Sequence, residues 1–102
     1  MLLDQKLNLK FAEVAPTGNA GADAVQIHSS RLGKGNYQLR FTGRRFPIPP
    51  VVVATLRDTT TANLLITVRN ISDTSANIII GTDGKTPSAD NSFCVVAMSP
   101  NY

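Results

Sequence analysis

The chain has one cysteine, one histidine and no tryptophan among its 102 residues, and each scarcity removes a class of chemistry. A single cysteine, Cys94, excludes an intrachain disulfide, so no oxidising compartment is needed to hold the fold. Its setting, Phe93-Cys94-Val95-Val96, reads as a small buried hydrophobe rather than a reactive thiol, since no histidine or basic cluster lies beside it. A histidine-built zinc site or a Ser-His-Asp triad would depend on His28 alone, and no ligand-spaced partner accompanies it. The seven acids are scattered, without the close pair that glycoside hydrolysis uses. No catalytic residue, metal site or cofactor is expected, and an enzyme is disfavoured. No apolar run approaches the roughly 20 residues of a membrane-spanning helix. Met1 to Lys6 also lacks the apolar core of a secretory signal, so neither membrane insertion nor leader-directed export is expected.

What remains is a chain of strands and turns. With 42% hydrophobic and 17% charged residues it has the composition of a globular protein, and its length fits a single domain, residues 1–102. Leu7, Leu9 and Phe11 alternate with Asn8 and Lys10, the pattern of a strand with one apolar face. Val25 and Ile27 alternate with Gln26 and His28, which puts His28 on a polar strand face. Tyr37, Leu39 and Phe41 give the clearest period of two, and Leu64, Ile66 and Val68 give another. Pro16–Asp23, Arg31–Gly35, Asp58–Ala62, Ser72–Ser75 and Gly81–Asp90 carry the Gly, Pro, Asn and Asp of turns and loops. Asp83-Gly84 reads as a hairpin turn, and the nearby Gly84-Lys85-Thr86 lacks the spacing and helix of a phosphate-binding loop. Ser99-Pro100-Asn101-Tyr102 reads as an exposed tail.

Three segments break the alternation. Val51–Leu56, entered through Pro47, Pro49 and Pro50, and Ile78–Ile80 and Phe93–Met98 are apolar on both faces. A half-buried strand shows water a polar face, so these strands need cover on both sides. Identical subunits packed sheet against sheet would supply it, as would loops folded over the strands; the oligomer is the favoured expectation. Six to seven short strands with turn signals about every ten residues predict an all-β, antiparallel sandwich.

Net charge is +3, and Arg31, Lys34, Arg40, Arg44 and Arg45 fall in a stretch that contains no acid. That cluster reads either as a solvated face or as a patch for an anionic partner such as acidic polysaccharide or lipopolysaccharide phosphate. Nucleic acid is not expected, because no aromatic stacking motif interleaves with the basic residues. Asp83, Asp90 and Asn91 share one loop and are candidates for a calcium or sugar-hydroxyl site. Tyr37 and Tyr102 are the amphipathic aromatics that a sugar face would use.

Tyr37-Gln-Leu-Arg-Phe41 followed by Phe46-Pro-Ile-Pro-Pro50-Val-Val-Val-Ala-Thr-Leu56 resembles the H-type lectin domains and the related C-terminal domains of bacteriophage tail fibres. Ile66-Thr-Val68-Arg-Asn70-Ile71-Ser72 is similar to their next strand and turn, and Phe93-Cys-Val-Val-Ala97 to their closing strand. The closing strand here lacks the Trp that many relatives carry before the Ala. The resemblance implies a homotrimeric sandwich that binds cell-surface carbohydrate, placed on a virion tail fibre or an extracellular surface. The lectins' sugar contacts do not align with particular positions here, so the expected ligand-binding residues come from the loops: Arg57, Asp58, Asp83, Lys85, Asp90 and Asn91, with Tyr37 as the aromatic. The rival expectations are a purely structural trimerisation, fibre-capping or virion-decoration domain, and more remotely a polysaccharide-cleaving enzyme.

Overall fold

A computed structural model describes residues 7–57 and 63–100. Seven strands form in these regions: β1 (Leu7–Val14), β2 (Ile27–Gly33), β3 (Asn36–Phe41), β4 (Val51–Leu56), β5 (Leu65–Arg69), β6 (Ser75–Gly81) and β7 (Phe93–Pro100). They pair antiparallel in two sheets, one of order β1-β7-β4 and one of order β2-β3-β6-β5. The all-β, antiparallel fold expected from the alternation is therefore the fold of the chain. Among the described residues no helix is long and apolar enough to cross a membrane.

The core lies between the sheets. Ala12, Val14, Phe93 and Val95 of the first sheet meet Ile27, Tyr37, Leu39, Ile78 and Ile80 of the second. Tyr37 packs edge-on against Phe93 at 5.2 Å between ring centroids, an arrangement that aromatic quadrupoles favour and one that ties sheet to sheet. The proline-rich segment ends where β4 begins, at Val51, and is pinned by Phe46, which is buried and packs edge-on against Phe41.

Strand β1 is turned over relative to the expectation. Its leucines face outward and its polar residues inward: Leu7 and Leu9 are exposed, whereas Asn8 and Lys10 are buried. The loop that follows β3 accounts for this. Lys10 Nζ donates to Thr42 O at 2.8 Å, Arg44 O at 2.7 Å and Gln26 Oε1 at 2.7 Å, and Asn8 Nδ2 donates to Arg44 O at 3.0 Å. Carbonyls turned inward need donors, and these two side chains supply them. Desolvation by burial pushes the Lys10 pKa down, and its three acceptors keep the ammonium tolerable.

The two outer faces differ in kind. On the β1-β7-β4 sheet, Leu9 and Val51 both pair with Met98, and Phe11 and Val53 both pair with Val96. Leu7 and Thr55 extend the same face, as does Cys94, which is half-buried on this outer surface rather than enclosed in the core. Val51 is 62% exposed and Leu9 and Val53 are 50% exposed. The outer face of the β2-β3-β6-β5 sheet instead carries His28, Ser30, Gln38, Arg40, Ser75, Asn77, Thr67 and Arg69.

Ile78–Ile80 is a correction to the expected subunit cover. Ile79 points to the outer side yet is buried within the single chain. Its cross-strand neighbour Thr67 donates through Oγ1 to Gly84 O, and Arg69 Nη2 donates to Gly84 O and Lys85 O. Those bonds lay the β6–β7 loop over the strand, so for this segment the loop is the cover. Asp83-Gly84 is a turn with Gly84 at φ 73°, but it lies in a crossing between sheets, not in a hairpin. Ser99 and Pro100 also depart from the expected tail: both extend β7, with Ser99 buried.

Candidate functional site

The residues expected to bind ligand separate into three groups. Tyr37 and Asp90 come together at the end of β3. Asp90 Oδ1 accepts from the Gly35 N–H at 2.7 Å, and its carboxylate takes Arg31 Nη2 at 2.9 Å. The Tyr37 hydroxyl lies within hydrogen-bond reach of Pro16 O at 2.7 Å and Asp90 Oδ1 at 3.1 Å, and its one proton serves either acceptor. The Arg31 guanidinium, first among the causes, holds the Asp90 carboxyl below the usual carboxylate range. Burial, then the neighbouring Asp90, pushes the Tyr37 phenol up to about 12. Tyr37 has no exposed surface and is a core residue, not a sugar platform.

Arg57 and Asn91 form the second group. Asn91 Nδ2 and Ser92 Oγ both donate to Arg57 O, while the Arg57 side chain pairs with Glu13 at 2.8 Å. A cleft of about 260 Å³ opens beside this ion pair and the Pro16 and Asn19 backbone.

Asp83 stands apart, because its Oδ1 accepts from the Lys85 and Thr86 N–H groups of its own turn. Those bonds, Thr86 first, lower its pKa. The calcium or sugar-hydroxyl site expected from Asp83, Asp90 and Asn91 is thus divided among separate contacts, and no group of three His, Cys, Asp or Glu is placed to hold a metal ion among the described residues. The Lys85 side chain is exposed. Asp58, and with it Tyr102, lies outside the described residues.

A larger groove, about 640 Å³, lies on the polar outer face of the second sheet and was not singled out in the sequence. It is lined by His28, Gln38, Arg40, Phe41, Thr42, Thr74 and Ser75. Register builds it: His28 pairs with Arg40, and Arg40 pairs with Ser75 on its other side. The Phe41 N–H donates to Thr74 O at 2.9 Å, which draws the β5–β6 turn against the end of β3. Alternation had placed His28 on a polar strand face; which strands pair, and in which register, is not written in any one segment.

The basic cluster is partly neutralised from a distance. Arg31 pairs with Asp90, and Arg45 with Asp73 at 2.6 Å. Arg40, Arg44 and Lys34 form no ion pair among the described residues, and each is exposed. Comparison with protein-family models, with curated proteins and with solved structures found no match to the chain.

Proposed function

We propose that this chain is a trimeric, lectin-like receptor-binding module of the kind carried by phage tail fibres and related adhesins, assembled through the outer face of the β1-β7-β4 sheet. The observation that carries the reading is the chemistry of that face. Leu9, Met98 and Val51, then Phe11, Val96 and Val53, form adjacent apolar rows with Leu7 beyond one end, while at the other end Cys94 and Thr55 adjoin Glu13, whose charge is paired with Arg57. At about 3.3 Å per residue and about 4.8 Å between strands, this face spans roughly 13 Å along the strands and roughly 10 Å across them before side-chain overhang. A water-facing antiparallel sheet normally alternates apolar inside and polar outside, so a face of this kind marks an interface. The resemblance over Tyr37–Met98 supports three copies of the chain and a carbohydrate partner on a host surface.

The polar surfaces support binding rather than turnover. His28 and Arg40 face each other and Ser75 across the strands, with no carboxylate in that row to act as a second acid or to orient the imidazole. A glycan array probed with the assembled chain tests this: selective binding supports the module, and signals at background throughout refute it.

A second reading, a structural trimerisation or fibre-capping domain, is favoured by one observation. Asp90, Asn91 and Asp83 are all engaged in internal hydrogen bonds that fix loops. That reading predicts the same trimer and no glycan signal.

A further inference from the structure

The groove over β2, β3 and the β5–β6 turn is rich in donors and holds no acidic side chain. Five of its polar linings, Gln38, Arg40, Thr42, Thr74 and Ser75, end in N–H or O–H groups, His28 adds an imidazole, and no carboxylate lines it. Arg40 is the residue around which the others are arranged, with His28 opposite on β2 and Ser75 opposite on β6. Its guanidinium, a rigid fork matched to two oxygens of an anion, forms no ion pair among the described residues. Arg31, Arg45 and Arg57 each hold a carboxylate of this chain. Arg40 is the one fixed cation of the lining, and an anion seated on its guanidinium would meet no competing carboxylate there.

We propose that this groove binds the anionic group of an acidic saccharide, a carboxylate or a sulfate or phosphate ester, with Arg40 as the fork on the anion and His28 beside it. Gln38, Thr74 and Ser75 then offer donors and acceptors to neighbouring ring hydroxyls. The groove volume of about 640 Å³ is within the range of small-ligand sites. The lining also discriminates against nucleic acid, which stacks its bases on exposed aromatics. The one aromatic here, Phe41, is held edge-on against Phe46 at 5.2 Å. An open, polar site of this kind binds weakly on its own, and three linked copies raise the apparent affinity by about 10² or more when a polymer spans them. This inference rests on the receptor-binding reading and names its ligand class.

The test is a titration of the purified chain with three probes: a sulfated heparin tetrasaccharide, an oligogalacturonate carrying only carboxylates, and neutral maltotetraose. Binding is followed by calorimetry and by NMR shifts of β2 and β3 amides. The proposal expects at least one acidic probe to bind, to weaken with added salt, and to shift His28 and Arg40; which probe binds separates the ester from the carboxylate source. Arg40→Gln should weaken binding about tenfold or more, the usual effect of losing a charge-assisted contact, while Lys34→Gln, the same charge change elsewhere, should leave it within about twofold. Equal binding of the neutral probe, or equal loss in both variants, overturns the proposal. So does silence from every acidic probe. If the chain is then still a trimer, or binds neutral glycans on an array, the assembly or receptor reading stands while the groove assignment fails.

Discussion

Lys10 places its Nζ 4.8 Å from the centroid of the Phe46 ring, with both side chains closed off from solvent. The contact joins β1 to the segment that leads into β4, and the same ammonium carries Thr42 O and Arg44 O. Lys10→Met keeps the stem but leaves Thr42 O without its donor and Arg44 O with Asn8 alone. The expected loss is about 2–4 kcal/mol of unfolding free energy, read from a urea titration at neutral pH. An unchanged midpoint would mean that the loop finds other donors.

Gly35 has φ 70°, and its N–H and C=O serve Asp90 and Ile80. A Cβ added there would stand 2.5 Å from Ile80 O and 2.9 Å from Ala89 O, both backbone atoms. Gly35→Ala should cost about 2 kcal/mol or more, combining left-handed strain with the displaced loop. Gly33 has nothing within 4 Å of such a Cβ, so Gly33→Ala in the same denaturation series should be milder.

The Tyr37–Asp90 pair sets the pH limits of the loop end. Asp90 has a folded-state pKa below its ordinary value of 3.8, so the folded state binds that proton less readily than the unfolded chain. Its contribution is present above about pH 4 and is lost as pH falls through the lowered value. Tyr37 is raised from 10.0 to about 12, so its contribution is present below pH 10 and is lost as pH rises toward 12. Thermal melts across pH 2 to 12 should show both declines. Asp90→Asn should flatten the acid limb and Tyr37→Phe the alkaline one. Limbs unchanged in the variants would assign the titrations elsewhere.

Val53 lies at the middle of β4 in the apolar part of the outer face and is 50% exposed in the single chain. Val53→Asp should dissociate the assembly while leaving the isolated fold within about 1 kcal/mol, since the position is outside the core. Circular dichroism should therefore keep its β signature while sedimentation falls to monomer. Loss of the fold along with the assembly would instead make β4 dependent on Val53 itself.

The sandwich was legible in the sequence because period-two alternation is local: β3 and β5 point inward the residues that Tyr37-x-Leu39-x-Phe41 and Leu64-x-Ile66-x-Val68 nominate. The face of β1 was not. Leu7 and Leu9 look like core until the Thr42–Arg44 carbonyls, far along the chain, claim Lys10 and Asn8 as donors. The missing polar face of Val51–Leu56 and Phe93–Met98 was legible; whether a loop or a partner covers a two-faced strand was not, and Ile79 is closed by its own loop. The loop residues chosen as ligand contacts have the right chemistry, but Asp90, Asn91 and Asp83 satisfy backbone groups of this chain. The groove around Arg40 depends on cross-strand register, which no single segment encodes.

The apolar part of the β1-β7-β4 outer face is proposed to pack against other copies of the chain. Sedimentation velocity of the purified chain at micromolar concentration tests it most directly. A trimer would sediment as a species near three times the 10.9 kDa chain mass, collapsing to one chain in Val53→Asp. A wild-type chain that sediments as a clean 10.9 kDa monomer would contradict it.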